Sequence, residues 1–250
     1  MSAGRGATSG DAAYDKRTLE VGQVLPRYNA WHTGELAPHI SGHVIEVGAG
    51  LGTIAATYVD RVASAVLLEP APNLYEELDG ALGGHPHVTT LCAYLDDLVG
   101  TVTDHGVRFD RPTFDTALMV NVLEHIEDDG ATLRQLRTLL APDGRLVLFV
   151  PAGPVLYGTL DRTVGHHRRY TRGSLAGVVT GAGYRITRLE PFDLLGALPW
   201  FVTGRILRRS HVAQGGAGAY DRVAVPVCRL ADRLVGPPWG KNLICVAEPS

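Results

Sequence analysis

Short apolar runs alternate with stretches of helical periodicity along most of the chain. A short run of apolar, mostly β-branched residues is typical of a strand that is covered on both faces of a parallel sheet. Apolar residues three or four positions apart, such as Leu133, Leu136 and Leu140, are typical of an amphipathic helix. The alternation predicts an α/β fold. The predicted strands cover residues 43–47, 65–69, 88–91, 114–120, the run that ends at 152 after a turn at 142–144, 184–190 and 242–248.

The same pattern divides the chain into units. Residues 1–13 are rich in glycine, serine and alanine without periodicity, so we expect a disordered tail there. The further units are a helical cap at 14–41, a core at 42–190 and 242–249, and a helical insertion at 191–241 that serves as a lid or a dimer surface. Predicted helices cover residues 53–59, 73–82, 130–140, 174–180, 194–202 and 220–234. Residues 153–173 form a connection longer than an ordinary structureless loop, which indicates a functional role.

The composition is that of an ordinary globular protein. The 250 residues are 45% hydrophobic and 20% charged, which suits one domain with a sizeable core. A net charge of −3 gives no electrostatic reason to expect a nucleic-acid partner. The three cysteines form neither a disulfide framework nor a zinc pattern, so the expected compartment is the reducing cytoplasm. We also expect no signal peptide and no integral membrane segment, because no apolar run approaches about 18 residues.

The run V-I-E-V-G-A-G-L-G, residues 44–52, combines a buried strand with a turn that no side chain obstructs. Its alternating glycines, Gly48, Gly50 and Gly52, allow positive φ angles and a close approach of the backbone to a ligand. A helix that opens after the turn would direct its free N–H groups at that ligand. The dinucleotide fingerprint requires glycine at the position of Thr53, so the motif disfavours a nicotinamide dehydrogenase.

This pattern resembles motif I of the class I S-adenosylmethionine-dependent methyltransferases. Three further segments match that family in the same order: A-V-L-L-E-P with Glu69, F-D-T-A-L-M-V-N-V-L-E-H-I-E-D-D from residue 114, and L-A-P-D-G-R-L-V-L-F-V-P-A from residue 140. The resemblance implies a Rossmann-like seven-stranded sheet in the order 3-2-1-4-5-7-6, with strand 7 antiparallel. It also implies S-adenosyl-L-methionine as the cofactor and Glu69 as the residue that accepts hydrogen bonds from its two ribose hydroxyls.

On this resemblance, a set of residues at the strand ends and in the cap becomes a candidate for cofactor binding. The candidates are Tyr28, Trp31, Glu46, Gly48, Ala49, Gly50, Gly52, Glu69, Pro70, Leu95 and Asn121. Tyr28 and Trp31 either cover the methionine end of the cofactor by cation–π attraction or anchor the cap to the core. Glu46 either fixes the glycine turn, for instance by accepting its backbone N–H groups, or reaches the cofactor's ammonium group through water. Leu95 lies where the family contacts adenine, beside Asp97, which is alternatively a surface acid.

Three histidines are candidates for catalysis, because an imidazole can remove a proton from an acceptor near neutral pH. His125 follows the fourth strand, and its alternative role is to pack beside the cofactor. His166 and His167 lie in D-R-T-V-G-H-H-R-R-Y-T-R, residues 161–172, where four arginines and one aspartate give a local charge of +3. Since adjacent histidines point in different directions and no further ligand is evident, we predict no metal site.

The same stretch offers arginines that bind a carboxylate or a phosphate through bidentate contacts. The candidates for substrate binding are Tyr157, Arg168, Arg169 and Tyr170. The stretch also resembles the segment G-H-x-R-R-Y-T of one small-molecule methyltransferase subgroup. The alternative is structural, in which Arg169 and Tyr170 lock the loop to the sheet.

Together these features favour an enzyme that transfers a methyl group to an O, N or C atom of a small-molecule acceptor. The subgroup resemblance adds, by analogy, a place in specialised natural-product biosynthesis. An alternative is a lipid or isoprenoid methyltransferase at a membrane surface, because residues 194–209 combine apolar residues with Arg205, Arg208 and Arg209. A second alternative is an inactive S-adenosylmethionine-binding regulatory or scaffold protein. A homodimer through the insertion is compatible with each of these hypotheses.

Overall fold

A computed structural model of the protein describes residues 25–207, 218, 220–236 and 238–250. Three sequence predictions therefore lie outside the described residues. They are the disordered tail at 1–13, the part of the cap before residue 25, and the arginines 208 and 209 of the basic patch.

The described chain contains a seven-stranded sheet in the order β3-β2-β1-β4-β5-β7-β6. Its strands are β1 (His43–Val47), β2 (Ser64–Leu68), β3 (Val88–Leu91), β4 (Phe114–Val120), β5 (Leu140–Pro151), β6 (Tyr184–Phe192) and β7 (Asn242–Pro249). The pairs among β1 to β5 are parallel, whereas β7 runs antiparallel to both β5 and β6. The predicted Rossmann-like strand order and the antiparallel last strand are confirmed.

Helices flank the sheet and cover its carboxyl edge. The α-helices are α1 (Pro26–Leu36), α2 (Pro72–Leu82), α3 (Leu95–Leu98), α4 (Asp129–Leu139), α5 (Thr159–Thr163), α6 (Arg172–Gly181), α7 (Ala197–Phe201) and α8 (Val225–Val235). Short π-helical segments, Val202–Ile206 and Tyr220–Ala224, adjoin α7 and α8. Local chemistry sets several of the starts: α1 and α2 begin with proline, and Asp128 caps α4 by accepting a hydrogen bond from the N–H of Ala131.

The segment after the glycine turn is not the predicted α-helix. It forms two 3₁₀ turns, Ala55–Thr57 and Val59–Arg61. Tyr58 separates them with φ −129° and ψ −18°, outside the helical range. Its hydroxyl donates a hydrogen bond to buried Glu46 at 2.6 Å. The inward contact of Tyr58 thus takes precedence over the helix propensity of the neighbouring alanines.

The connection at 153–173 is also more ordered than a structureless loop. It contains a 3₁₀ turn, Pro154–Leu156, followed by the short helix α5. The N–H of Gly158, which precedes α5, donates to Asp161 Oδ2 at 2.9 Å. A buried carboxylate therefore organises this segment from within.

Successive residues of each strand pack on opposite faces of the sheet and create two hydrophobic layers. On one face, Ile45 packs with Leu133 of α4 and other apolar residues of α4 and α6. On the other face, Val44 packs with Trp31 of α1 and Cys228 of α8. The glycine turn directly follows the carboxyl end of β1. It therefore lies at the carboxyl edge of the sheet, where open α/β sheets bind ligands.

The cap and the 191–241 insertion are joined by polar contacts. Asp221 accepts hydrogen bonds from the backbone N–H groups of Arg27 and Tyr28, at 3.1 and 2.9 Å. Asp232 of α8 accepts one from the N–H of Asp193 at 2.7 Å. These contacts join α1 to the π-helical turn before α8, and α8 to the residue that follows β6. Within the described residues, no helix has both the length and the apolar character needed to cross a bilayer.

Candidate functional site at the carboxyl edge of the sheet

The glycine turn adopts backbone angles that favour glycine. Gly48, Gly50 and Gly52 have φ angles of +74°, +58° and +74°. A Cβ atom on Gly48 would lie 2.5 Å from Cγ2 of Val122, closer than carbon atoms approach. The turn thus depends on glycine through both conformation and packing.

Neighbouring strands hold this turn in position. The N–H groups of Gly48 and Ala49 donate to the carbonyl oxygen of Leu68 at the end of β2, at 2.8 and 2.9 Å. The N–H of Gly50 donates to Glu69 Oε2 at 2.9 Å. Glu69, which the family resemblance assigns to the ribose hydroxyls of the cofactor, therefore also holds the glycine turn in place.

Glu69 lies between the glycine turn and the start of α2. Its second oxygen, Oε1, accepts a hydrogen bond from the N–H of Ala71 at 2.9 Å. Burial raises the pKa of Glu69, while the two backbone N–H groups oppose that rise. Each oxygen of an ionised carboxylate can accept a further hydrogen bond, so these contacts leave capacity for ligand hydroxyls. Pro70 follows directly and is half-buried.

Glu46 lies inside the fold, 1% exposed, near the end of β1. Its Oε2 accepts the hydrogen bond from the Tyr58 hydroxyl. Burial raises the pKa of Glu46 to about 7, although the Tyr58 hydrogen bond lowers it. The carboxyl group therefore changes charge near neutral pH.

Two other candidates follow the ends of β4 and β3. Asn121 comes directly after β4, is exposed, and has a φ angle of +53°. Its N–H donates to the carbonyl oxygen of Phe149 at 2.8 Å. A left-handed conformation at a residue other than glycine often marks a functional position. Leu95 begins α3 and is buried in the core.

The cap residues make different contacts. Trp31 is 3% exposed, and its ring centroid lies 4.2 Å from that of Phe192, which supports the anchoring alternative. Tyr28 donates its hydroxyl to Asn242 Oδ1 at 3.2 Å. The Nζ atom of Lys241 lies 4.3 Å from the centroid of the Tyr28 ring, so this ring already faces a cation of the protein.

Lys241 belongs to a buried ion pair that the sequence did not reveal. Its Nζ lies 3.0 Å from Asp193 Oδ2. Burial lowers the pKa of Lys241, but Tyr28 and Asp193 outweigh burial and raise it overall. Burial also raises the pKa of Tyr28 to about 12. The ring of Trp200 lies 6.0 Å from Nζ and 5.0 Å from the guanidinium carbon of Arg169.

The basic segment is held by internal contacts. Arg169 is buried, and its Nε donates to Asp161 Oδ1 at 2.7 Å. Arg168 donates to Asp129 Oδ2 at 2.9 Å, and the Tyr170 hydroxyl donates to the same oxygen at 2.8 Å. These contacts support the alternative in which Arg169 and Tyr170 lock the segment to the sheet.

Tyr157 is held within the same segment. Its hydroxyl donates to the carbonyl oxygen of His166 at 2.8 Å, and its own carbonyl accepts from Arg205 Nη1 at 3.0 Å. Tyr157 therefore links the 153–173 segment to the π-helical turn Val202–Ile206 of the 191–241 insertion.

Two of the three candidate histidines come together. His166 Nδ1 lies 3.0 Å from Asp161 Oδ1, and its Nε2 lies 3.7 Å from Glu124 Oε1. The ring of His125 meets that of His166 edge-on, with 4.7 Å between centroids. Burial and, to a lesser extent, the neighbouring His166 lower the pKa of His125 to about 4. The side chain of His167 is exposed, and its backbone N–H donates to the backbone carbonyl oxygen of Glu124.

Sequence reasoning missed Glu124, Asp161, Lys241 and Trp200 as parts of this region. Glu124 directly precedes His125 in L-E-H, but its burial beside His166 depends on a segment about 40 residues further along the chain. Asp161 was counted only as a charge against the arginines. Lys241 and Trp200 have no local motif, because their partners lie in remote parts of the chain.

The chain is similar in sequence to known methyltransferase domains and to two curated proteins. A family model described as a methyltransferase domain matches residues 26–189. The chain is 29% identical over 116 residues to the reducing polyketide synthase ppsB of Aspergillus oryzae, over 45% of this chain and 5% of that protein. It is 25% identical over 144 residues to a ubiquinone biosynthesis O-methyltransferase of Azorhizobium caulinodans, over 58% of this chain and 50% of that protein. The chain thus spans half or less of the length of these curated relatives.

A solved structure shares the architecture. The S-adenosylmethionine-dependent methyltransferase from Mesorhizobium loti superposes with a TM-score of 0.59 at 16% identity. The superposition covers 88% of this chain and 97% of that one. At this identity the likeness shows the fold alone.

Proposed function

Since the family match covers more than half of its residues, this chain belongs to the S-adenosylmethionine-dependent methyltransferases, and we propose that it methylates an O, N or C atom of a small-molecule acceptor. The observation that carries the proposal is that three elements meet at the carboxyl edge of the sheet. The cap, the 153–173 segment and the insertion contact one another there through Tyr28, Arg169, Trp200 and Lys241. Aromatic side chains with a few polar groups at this edge suit a small acceptor.

The residues at this edge fit the cofactor. Bound there, S-adenosyl-L-methionine supplies the sulfonium methyl group for an in-line displacement. The turn from Gly48 to Gly52, including Ala49, offers backbone without side chains that obstruct a ligand. Glu69 accepts hydrogen bonds from the ribose hydroxyls with its remaining lone pairs. We assign Pro70, Leu95 and Asn121 to the adenosine end of the cofactor, and Glu46 to the support of the turn or to the cofactor's ammonium group.

Positioning is the main contribution of the protein, because holding donor and acceptor in contact lowers the barrier by several kcal/mol. Among the candidate bases, His166 is the best oriented, since Asp161 fixes its ring through Nδ1. His125 is neutral at pH 7 and packs against it. His167 is exposed and is assigned a smaller part.

The sequence suggests that the arginines bind a carboxylate or a phosphate of the acceptor, but their contacts in the fold give less support to an anionic acceptor. Arg168, Arg169 and Tyr170 are paired with carboxylates of the protein, and Tyr157 is bonded to a backbone carbonyl. We therefore assign acceptor contact first to Trp200, whose Nε1 has no hydrogen-bond partner among the described residues. The name of one curated relative, a reducing polyketide synthase, supports a role in specialised biosynthesis. The name of the other, a ubiquinone biosynthesis O-methyltransferase, supports an O-methyl acceptor of the isoprenoid type instead.

Calorimetric titration of S-adenosyl-L-methionine and, separately, NADH into the wild-type chain tests the cofactor assignment. Replacing Glu69 by Ala removes a charge-assisted ribose contact, so donor affinity should fall by about 1.5–3 kcal/mol. Glu69→Gln keeps the side-chain size and separates the loss of charge from a change of the loop. Glu76→Ala, an exposed carboxylate of α2, is the matched control and should bind like the wild type.

Failure of the folded wild type to bind the donor would contradict the proposal, and NADH binding would redirect it to another reaction. With donor binding established, transfer of a labelled methyl group to a panel of O, N and C acceptors identifies the acceptor class. Donor binding without transfer to any acceptor would favour the regulatory or scaffold alternative.

A second candidate function rests on the surface of α8. Its segment presents an exposed apolar stripe that consists of Val223, Val227, Leu230 and Leu234. Arginines flank this stripe at positions 222, 229 and 233. An apolar stripe with basic neighbours suits a membrane surface, which supports a lipid acceptor. Sedimentation with anionic vesicles, compared between the wild type and Leu230→Ser, tests it. Absence of sedimentation argues against the lipid acceptor, and a concentration-dependent dimer would assign the stripe to self-association.

A further inference from the structure

A buried carboxylate lies beside two imidazoles without a hydrogen-bond donor from another residue. Glu124 is 0% exposed, and neither Oε1 nor Oε2 accepts a hydrogen bond from any other described residue. A buried polar group without a partner is costly, and a buried charge without one is costlier. Either a proton or a cation must therefore compensate the carboxylate.

The two imidazoles beside it present nitrogen atoms. One ligand atom from each of Glu124, His125 and His166 can be chosen so that all three lie within 4.8 Å of one another. We propose that these three residues form a binding site for a divalent transition-metal ion, distinct from the residues assigned to the cofactor, and that His166 serves as a metal ligand rather than as a base whenever the ion is bound. This proposal departs from the sequence-based expectation of no metal site, which rested on His166 and His167 alone.

Asp161 orients His166 for this role. Its ionised carboxylate only accepts hydrogen bonds, so the 3.0 Å contact places the proton of His166 on Nδ1. The lone pair of the ring is then on Nε2, the nitrogen that faces Glu124. A carboxylate behind a ligating histidine is the usual arrangement in metal sites, where it fixes the tautomer and the orientation of the ring.

The distances allow a shared ion. His166 Nε2 and Glu124 Oε1 are 3.7 Å apart. An ion about 2.1 Å from each atom would subtend an angle of about 120° between them, which is within reach of tetrahedral coordination. The remaining ligand, His125, directly follows Glu124 in the 3₁₀ turn Leu123–His125, so the backbone holds these two ligands beside each other.

The ligand set and the local charge favour one class of ion. Two imidazoles and one carboxylate suit zinc and ferrous iron, whereas magnesium and calcium prefer oxygen ligands alone. The carboxylates of Glu124 and Asp161 exceed the nearby positive charge of Arg169 by one unit, which offsets part of the charge of the incoming ion. Three protein ligands also leave a coordination position open.

The test uses the full chain without an affinity tag, stripped of metal by a chelator and dialysed. Zinc titration by calorimetry should give one site per chain, and Co²⁺ should develop visible absorption with the same stoichiometry. Glu124→Gln and His166→Asn remove ligands, and Asp161→Asn removes the orienting contact. A lost orienting contact should weaken zinc binding by about 10- to 100-fold, and a lost ligand should weaken it at least as much.

Control variants come from a surface pair elsewhere in the chain. His85 Nε2 lies 2.9 Å from Asp60 Oδ1 on an exposed surface, so His85→Asn tests for adventitious binding and should leave the site intact. Circular dichroism checks that each variant is folded. X-ray absorption of the zinc-loaded wild type gives an independent answer without variants, with two imidazoles and one carboxylate expected.

Absence of zinc and cobalt binding by the folded wild type would overturn the proposal. Equal affinity in the wild type and the ligand variants would do the same, as would a spectrum without two imidazole ligands. S-adenosyl-L-methionine binding is measured on the same metal-free samples. Because it does not involve these residues, loss of one type of binding and retention of the other separates this inference from the proposed function.

Discussion

Replacing Glu46 by Gln tests whether a buried carboxyl group beneath the glycine turn changes charge near neutral pH. The substitution removes the ionisable group but keeps an oxygen that can accept the 2.6 Å hydrogen bond from Tyr58. Glu46 is 1% exposed, so solvent screens its charge little. Burial raises its pKa from 4.5 to about 7, against the lowering effect of the Tyr58 hydrogen bond.

The sign follows from proton binding in the two states. Between pH 4.5 and about 7 the folded protein holds a proton on Glu46 that the unfolded chain has already released. The wild type therefore loses stability as pH rises through this window, and the loss levels off above the folded pKa. The pKa difference corresponds to about 3 kcal/mol at most, because one pKa unit is worth about 1.4 kcal/mol. Relative to the wild type, Glu46→Gln should gain stability by up to this amount across the window.

Urea unfolding at a series of pH values measures the effect, and the difference between variant and wild type cancels the titration of all other groups. Tyr58→Phe is the companion variant. Removing its hydroxyl deletes the contact that lowers the pKa of Glu46, so the decline in stability should extend to higher pH. If the difference in unfolding free energy between Glu46→Gln and the wild type stays constant with pH, the raised pKa assigned to Glu46 is wrong.

The same variant decides between the two roles proposed for Glu46. If the ionised carboxylate attracts the ammonium group of the cofactor, donor affinity should rise with pH through the window and become flat in Glu46→Gln. If Glu46 only supports the turn through Tyr58, both proteins should show the same pH dependence of affinity.

Other substitutions test separate parts of the structure. Gly48→Ala should cost about 1–3 kcal/mol of unfolding free energy and weaken donor binding, and adding Val122→Ala should recover only the steric part, as measured by urea unfolding and calorimetry. Lys241→Met should destabilise by about 3–5 kcal/mol, because Asp193 is left buried and unpaired. Adding Asp193→Asn should recover much of that loss, since asparagine tolerates the φ of +62° at this position. Burial lowers the pKa of His32 from 6.5 to about 4. Between these two pH values the unfolded chain binds a proton on His32 that the folded protein does not, so the free energy of unfolding falls as pH decreases through this window. His32→Phe should remove this acid sensitivity, and identical acid melting curves would contradict the assignment.

The sheet could be predicted because each central strand must be apolar on both faces. The observed bounds of β1, β3 and β4 coincide with the predicted runs, and β7 begins where predicted. Strand order came from the resemblance of motifs in sequence, not from periodicity, because periodicity is blind to which strands pair. The glycine turn was also visible, since positive φ angles leave a direct mark on residue choice.

The predictions failed where a contact remote in sequence overrides local propensity. The alanines before Tyr58 favour a helix, but the hydrogen bond of that tyrosine to Glu46 breaks the segment into 3₁₀ turns. Lys241 meets Asp193 only because β7 inserts between β5 and β6. No spacing rule within either segment predicts such a meeting.

The charge of the 161–172 segment shows why a local sum can mislead about function. The sequence gives +3, which favours an anionic acceptor. In the fold, Arg169 is neutralised by Asp161, and Arg168 by Asp129, an acid from α4 that the local sum omits. Two of the counted charges thus serve to hold the segment against the sheet. Because the cost of burying a guanidinium is met within the protein, the net charge of the segment carries no information about the charge of the acceptor. The acceptor must instead be sought from the side chains around Trp200.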